Sequence, residues 1–187
     1  MQELSDKMKE IGIGEIASVM GRYYVMDRDN RWDRVELAYK ALVYGEGNQA
    51  KDAVEAIQNS YDDGKSDEFV VPAVITKGGK PVATIQENDS IIFFNFRPDR
   101  AREITRVFCA DEFDGFDRGE RVRTTYVCFT EYDVTIPNKM VAFHKTEITN
   151  TFGEYLAKNH MKQARIAETE KLRTCNFLLQ RWGRRAK

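Results

Sequence analysis

Five basic side chains follow three apolar stretches that the sequence predicts as strands: Arg22, Arg28, Arg97, Arg100 and Lys171. In α/β sheets the carboxyl ends of the strands share one edge, where helix N-termini also offer N–H donors. Arginine is suited to grip planar carboxylates and phosphates through two hydrogen bonds at once. We therefore expect these side chains to converge into a pocket for a small polyanion.

Ordinary surface ion pairs are the alternative for each of these arginines. Arg22 and Arg28 stand close in sequence to Asp27, Asp29 and Asp33. Exposed pairs of this kind contribute only about 0–1 kcal/mol to stability. The string FRPDR at 96–100 also fits a helix start that carries a salt bridge. Because the whole chain has a net charge of −1, a local cluster of arginines is more informative than it would be in a basic protein.

Composition excludes several classes of function. A net charge of −1 gives no general basic field, so we expect no nucleic-acid partner. The sequence has three widely separated cysteines and two histidines, which disfavours both a disulfide framework and a zinc site. It has no apolar run of membrane length and no signal peptide. These features predict a cytoplasmic protein without a membrane partner.

The apolar residues alternate between helical and strand periods, which is typical of an α/β fold. We expect a mainly parallel sheet flanked by helices on both faces. Predicted helices cover 2–11, 31–45, 52–64, a stretch beginning at Pro98, and 148–160. Predicted strands cover 14–21, 90–96, 123–133 and 163–171, and KGGK at 77–80 is expected to turn a hairpin.

Three finer expectations concern packing. The continuous apolar run SIIFFNF, 90–96, is typical of a strand covered on both sides. The helix at 52–64 is predicted to bury Val54, Ile57 and Tyr61. In the helix that follows Pro98, the predicted core face is formed by Ala101, Ile104 and Phe108. Asp29 or Asn30 is the expected cap of the helix at 31–45.

Three motifs resemble the phosphotransferase domain of the cofactor-independent phosphoglycerate mutases. They are GRYYVMDRDNRWDRV at 21–35, NFRPDRA at 95–101 and RIAETEK at 165–171. The resemblance implies interconversion of 3-phosphoglycerate and 2-phosphoglycerate through a phosphoserine on a separate phosphatase domain that holds two manganese ions. It also implies that the substrate is held by basic residues, namely Arg22, Arg28, Arg97, Arg100 and Lys171.

The resemblance also shows departures from the family pattern. It covers 1–171 and implies an N-terminally truncated domain, because the family's earlier segment has no counterpart in the sequence. No nucleophilic serine motif and no histidine–aspartate cluster are visible, so we expect the chain alone to bind no metal and to be inactive. The expected partners are the substrate and the missing phosphatase domain, and a monomer is expected. The alternative is a stand-alone module that binds phosphate esters without catalysis.

The last residues, 172–187, differ from the continuation that the resemblance implies. A one-base change of reading frame converts a permissible coding of 176–183 into Thr-Phe-Phe-Phe-Asn-Gly-Gly, the expected continuation. The tail is therefore predicted to be non-native and frameshift-derived. A genuine amphipathic C-terminal helix is the alternative.

Overall fold

The computed structural model describes residues 1–144, 146 and 148–163 of the 187-residue chain. The described helices are α1 (Gln2–Ile11), α2 (Arg22–Val25), α3 (Trp32–Val43), α4 (Ala53–Asp62), α5 (Arg102–Cys109) and α6 (Phe152–Lys158). The described strands are β1 (Ser18–Val19), β2 (Asn48–Ala50), β3 (Ala73–Lys77), β4 (Lys80–Pro81), β5 (Ser90–Phe93), β6 (Thr125–Thr130) and β7 (Lys139–Phe143). A first unit, Met1–His144, contains all of these elements except α6, which belongs to a second unit.

The strands of the first unit form two sheets. A mixed sheet has the order β1-β3-β2, in which β3 runs antiparallel to β1 and parallel to β2, and β4 also pairs with β3. The second sheet has the order β5-β6-β7 and is parallel throughout. The predicted α/β class with a parallel sheet is therefore confirmed, although the sequence did not predict the short strands β2 and β7.

The predicted hairpin at KGGK is confirmed. Lys77 of β3 pairs with Lys80 of β4, so Gly78 and Gly79 form a two-residue turn. Their φ angles are 60° and 77°, a left-handed conformation at both central positions. Such a turn matches the twist of the two strands but is unfavourable for residues that carry a Cβ atom.

The main core lies between helices α3 and α5 and one face of the parallel sheet. Tyr39 of α3 and Phe108 of α5 pack with Tyr126 and Cys128 of β6. The predicted core face of α5, which includes Ile104 and Phe108, is confirmed by their nearly complete burial. This packing fixes the start of α5 relative to α3, and residues of the candidate site lie in the segments just before both helices.

The opposite face of the parallel sheet is exposed. Ile92 of β5, Val127 of β6 and Met140 of β7 are paired in one row across the strands. In this row Ile92 is 67% exposed and Met140 is 60% exposed. Since alternate side chains of a strand point to opposite faces, the prediction that SIIFFNF is covered on both sides was wrong for its outward residues.

The predicted inner face of α4 was also wrong. Ala53, Ala56 and Ser60 are the buried residues, whereas Val54 and Tyr61 are exposed. The Asp52 side chain accepts hydrogen bonds from the first turn and begins the helix. Small residues at this spacing let the helix approach the mixed sheet closely, which is why they form the inner face in place of the larger side chains.

Several predictions lie outside the described residues. They are the strand at 163–171 beyond Gln163, the site residue Lys171, and the tail at 172–187. In the part of the chain that the structure describes, no helix is long and apolar enough to cross a membrane.

Candidate anion-binding site

The carboxylate of Glu68 accepts a hydrogen bond from Arg22 and also interacts with the charge of Arg100. Arg22 is the first residue of α2, directly after Gly21. At Gly21 a Cβ atom would lie 2.1 Å from the carbonyl oxygen of Glu68, so only glycine allows the backbone to pass this closely. The Arg22 Nη2 donates to Glu68 Oε2 over 2.8 Å. This hydrogen bond, with a further contribution from the charge of Arg100, lowers the pKa of Glu68.

Arg28 and Arg97 share a second carboxylate, that of Asp99. Arg28 Nη1 lies 3.5 Å from Asp99 Oδ2, and Arg97 Nε lies 3.6 Å from Asp99 Oδ1. Asp99 follows Pro98 in the turn between β5 and α5. The acidic residue of the FRPDR motif thus joins two arginines that are far apart in sequence.

Arg100 connects the two groups. Its Nη1 donates to the carbonyl oxygen of Met26 over 3.0 Å, at the end of α2 and two residues before Arg28. The structure therefore brings together the four predicted arginines that it describes, but the predicted reason was wrong, because β1 before Arg22 and β5 before Arg97 belong to different sheets and share no edge. Each arginine already has a partner, but the acids that pair with Arg22 and Arg28 are Glu68 and Asp99, not the neighbouring aspartates that the ion-pair alternative named.

The side chains of Arg22, Arg28 and Arg97 remain open to solvent, whereas Arg100 is partly buried. The Arg97 side chain is 83% exposed and that of Arg28 is 53% exposed. Arg22 borders a shallow hollow, and the remaining lining residues are Met20, Gly21, Asp67 and Glu68. Long, exposed ion pairs are weak, so a dissolved anion can compete with Glu68 and Asp99 for these arginines.

Beneath this cluster lies a buried acid, Asp27. Its Oδ2 accepts the backbone N–H groups of Asp29 and Arg31, each over 2.9 Å. Its Oδ1 accepts Arg34 Nη1 over 3.1 Å. Burial by itself would raise the pKa of Asp27, but the two backbone hydrogen bonds, the hydrogen bond with Glu103 and the charge of Arg34 together outweigh burial and lower it. The predicted cap of α3 was wrong, because the cap position is Arg31 and its amide is satisfied by Asp27.

A second buried acid, Glu103, was missed by the sequence. It lies in the first turn of α5 and accepts the backbone N–H of Asn30 at Oε1 over 3.0 Å. Among the described residues nothing donates to Oε2, which is buried. Burial, together with the adjacent carboxylate of Asp27, raises the pKa of Glu103 to about 7. An acid in the first turn of a helix is usually exposed, so the sequence carried no signal of its burial.

The described residues do not fit a metal centre. Among them no group of three or more histidine, cysteine, aspartate or glutamate side chains could hold an ion. Cys109 and Cys128 are unpaired and buried, and burial raises their pKa values to about 12 and about 11. These thiols are therefore protonated at neutral pH and unsuited to act as nucleophiles.

The known sequences that resemble this chain include BPG-independent phosphoglycerate mutases. The family whose sequence profile matches is described as BPG-independent PGAM N-terminus and covers residues 1–134. The chain is 67% identical to the 2,3-bisphosphoglycerate-independent phosphoglycerate mutase of Lachnoclostridium phytofermentans, over 95% of this chain and 35% of that protein. The corresponding protein of Clostridioides difficile is 60% identical, over 94% of this chain and 34% of that protein.

Comparison with known structures agrees. A crystal structure of Leishmania mexicana phosphoglycerate mutase at low cobalt concentration matches with a TM-score of 0.71 and 32% identity, over 85% of this chain and 31% of that chain. The chain spans about one third of the length of the curated relatives that it matches. Because the family profile covers well over half of its residues, the chain belongs to the family of BPG-independent phosphoglycerate mutase N-terminal regions.

Proposed function

We propose that this chain is the phosphotransferase, or substrate-binding, part of a phosphoglycerate mutase, spanning 1–171. In this proposal the cluster of Arg22, Arg28, Arg97 and Arg100 binds 2- or 3-phosphoglycerate, and Lys171 completes the site. The observation that carries the proposal is the clustering of the four described arginines around two half-buried carboxylates. Arg22 pairs with Glu68, and Arg28 and Arg97 pair with Asp99. Arg100 acts on Glu68 through its charge.

The chemistry of the ligand fits this arrangement. A phosphoglycerate carries one planar carboxylate and one tetrahedral phosphate, and guanidinium binds the oxygens of either group through paired hydrogen bonds. Glu68 and Asp99 pair with the arginines when no ligand is bound. When the ligand binds, its oxygens take the place of these two carboxylates. The arginines then neutralise charge and hold the glycerate, which is the contribution that phosphoryl transfer requires of such groups.

The remaining catalytic parts are assigned by resemblance to another domain. The nucleophilic serine and two manganese ions belong in that assignment to a phosphatase domain, which is the proposed partner of this chain. The chain's own residues bind and orient the substrate. A monomeric state and a cytoplasmic location stay predictions, as does the lack of mutase activity in the 187-residue chain alone. A coupled assay of the purified chain with 3-phosphoglycerate and manganese tests the last of these, and turnover would contradict it.

Calorimetry with 3-phosphoglycerate tests the binding role. We expect wild-type protein to bind and Arg97→Ala to weaken binding about tenfold or more, because one charge-assisted contact is lost. Arg123→Ala is the matched control, since Arg123 is also exposed but lies outside the cluster. Equal losses in both variants, or no binding by the wild type, would contradict the proposal.

A further inference from the structure

The segment 26–31, which carries Arg28, is held at both ends by residues at the start of α5. Arg100 donates to the Met26 carbonyl over 3.0 Å, and Glu103 accepts the Asn30 amide over 3.0 Å. Arg28 lies between these two attachment points. The backbone position of Arg28 therefore depends on Glu103 as well as on Arg100.

The surroundings of the second oxygen of Glu103 favour the protonated form of the carboxyl group. Glu103 is 7% exposed and Asp27 is 2% exposed, so neither carboxylate is well solvated. Asp27 lies beside Glu103, and its own hydrogen bonds favour the ionised form. Two adjacent buried negative charges repel each other strongly. A proton on Glu103 removes that repulsion and turns the unpaired Oε2 into a donor toward Asp27.

The surrounding charges leave Glu103 uncompensated. Arg34 of α3 pairs with Asp27, and its guanidinium stacks on the ring of Tyr23 of α2 at 3.9 Å. Asp29, from the same segment as Arg28, adds a further negative charge toward Glu103. Among the charged groups that the structure describes around this pair, the cations are Arg34, which contacts Asp27, and Arg31, whose charge also acts on Asp27.

We propose that Glu103 is a positioning residue for Arg28, whose protonated carboxyl group holds the segment 26–31 and whose deprotonation weakens binding of the phosphate ester. This inference rests on the proposed function. The Asn30 N–H favours the ionised form of Glu103, so this bond persists when the proton leaves for solvent. Burial and repulsion from Asp27 and Asp29 then drive the charged Glu103 out of its buried position, and Asn30 moves with it and displaces Arg28 from the cluster. The pKa of Glu103, raised by burial to about 7, places this change in the neutral range.

The test compares wild type with Glu103→Gln, which keeps the shape and the Oε1 acceptor and carries a permanent donor. Affinity for 3-phosphoglycerate is measured at about pH 5.5 and about pH 8.5, on either side of the raised pKa. The phosphate group of the ligand itself ionises near pH 6, so the ratio of the two affinities at each pH is the readout. Glu120→Gln is the control, because Glu120 is exposed.

We expect equal affinities within about twofold at the lower pH, and wild type about threefold to tenfold weaker than Glu103→Gln at the higher pH. A ratio that does not change with pH overturns the inference and leaves the proposed function intact. Absence of binding by every variant at both pH values overturns the two together. A ligand-free measurement adds a separate check: the amide resonance of Asn30 should titrate near neutral pH in wild type and stay constant in Glu103→Gln, and a constant resonance in wild type overturns the inference.

Discussion

The candidate site has two layers of ion pairs that differ in solvation. In the outer layer, Arg97 and Arg28 reach Asp99 over 3.6 and 3.5 Å from largely exposed positions. In the inner layer, Arg34 reaches Asp27 over 3.1 Å, and the two side chains are 17% and 2% exposed. Arginine and aspartate thus form long, solvent-exposed ion pairs in the outer layer and a shorter, desolvated ion pair in the inner layer.

This difference in solvation indicates that the outer layer binds the ligand and the inner layer holds the backbone in place. Exposed ion pairs contribute little to folding, so the arginines of the outer layer are free to exchange partners. A buried charge that loses its partner is strongly destabilising, so the inner layer has one stable arrangement. The inner pair therefore fixes the backbone of the segment 26–31, and that backbone presents Arg28 to the outer layer.

The largest expected effect comes from removing the inner acid. Asp27→Ala leaves the Arg34 guanidinium and the amides of Asp29 and Arg31 without their acceptor. We expect the free energy of unfolding at neutral pH to fall by about 3–5 kcal/mol, the typical result of breaking a buried ion pair. Urea denaturation followed by circular dichroism measures it.

The matched control for this change is Asp99→Ala in the outer layer. Because Asp99 contacts exposed arginines at long distances, its removal should cost less than about 1 kcal/mol. Equal losses in the two variants would show that solvation does not separate the layers.

The sequence predicted the outer layer and missed part of the inner layer. Arg22, Arg28, Arg97 and Arg100 were expected to meet at one sheet edge. They do lie close together, but β1 and β5 belong to different sheets, and it is the packing of the two segments that brings the arginines together. The depth of Glu103 could not be predicted, because it depends on how α5 lies against the segment 26–31. Two stretches that are more than seventy residues apart must pack before that acid is buried.

The sequence likewise predicted local features of the fold but not those that depend on packing between distant segments. Local turn chemistry predicted the Gly78–Gly79 hairpin, and helical spacing predicted the buried face of α5. Strand periodicity could not show that only one face of the parallel sheet is covered, since Ile92 and Ile91 are equally apolar. In α4 the large apolar residues were expected to be buried. The helix lies close to the sheet, so its buried residues are the small side chains of Ala53, Ala56 and Ser60.

An intermediate effect is expected for Glu103→Gln, and it depends on pH. The pKa of Glu103 rises from an ordinary value of 4.5 to about 7 in the folded protein. The native state thus retains a proton that the unfolded state releases. Its contribution to stability is complete below the ordinary pKa and is lost as pH rises through about 7. Glutamine does not titrate, so the variant escapes this loss.

We therefore expect Glu103→Gln to be more stable than wild type by about 1–3 kcal/mol at about pH 8.5, with little difference at about pH 5. Urea unfolding at both pH values measures the difference. Glu120→Gln should match wild type at each pH. A Glu103→Gln variant that is equally destabilised at both pH values would mean that the carboxyl group has only a packing role.

The smallest expected effect on stability is that of Glu68→Gln in the outer layer. Arg22 holds the pKa of Glu68 below its ordinary value, so the pair contributes above that value and is lost as pH falls. At neutral pH, where the pair is formed, we expect only a small loss in the free energy of unfolding, because solvent screens the pair. The affinity for 3-phosphoglycerate should rise about twofold to fivefold, because a competing carboxylate is gone. Calorimetry and urea unfolding on one preparation separate the two effects. A fall in affinity would instead mean that Glu68 holds Arg22 in its binding position. The outer layer, like the inner layer, would then have one stable arrangement of ion pairs.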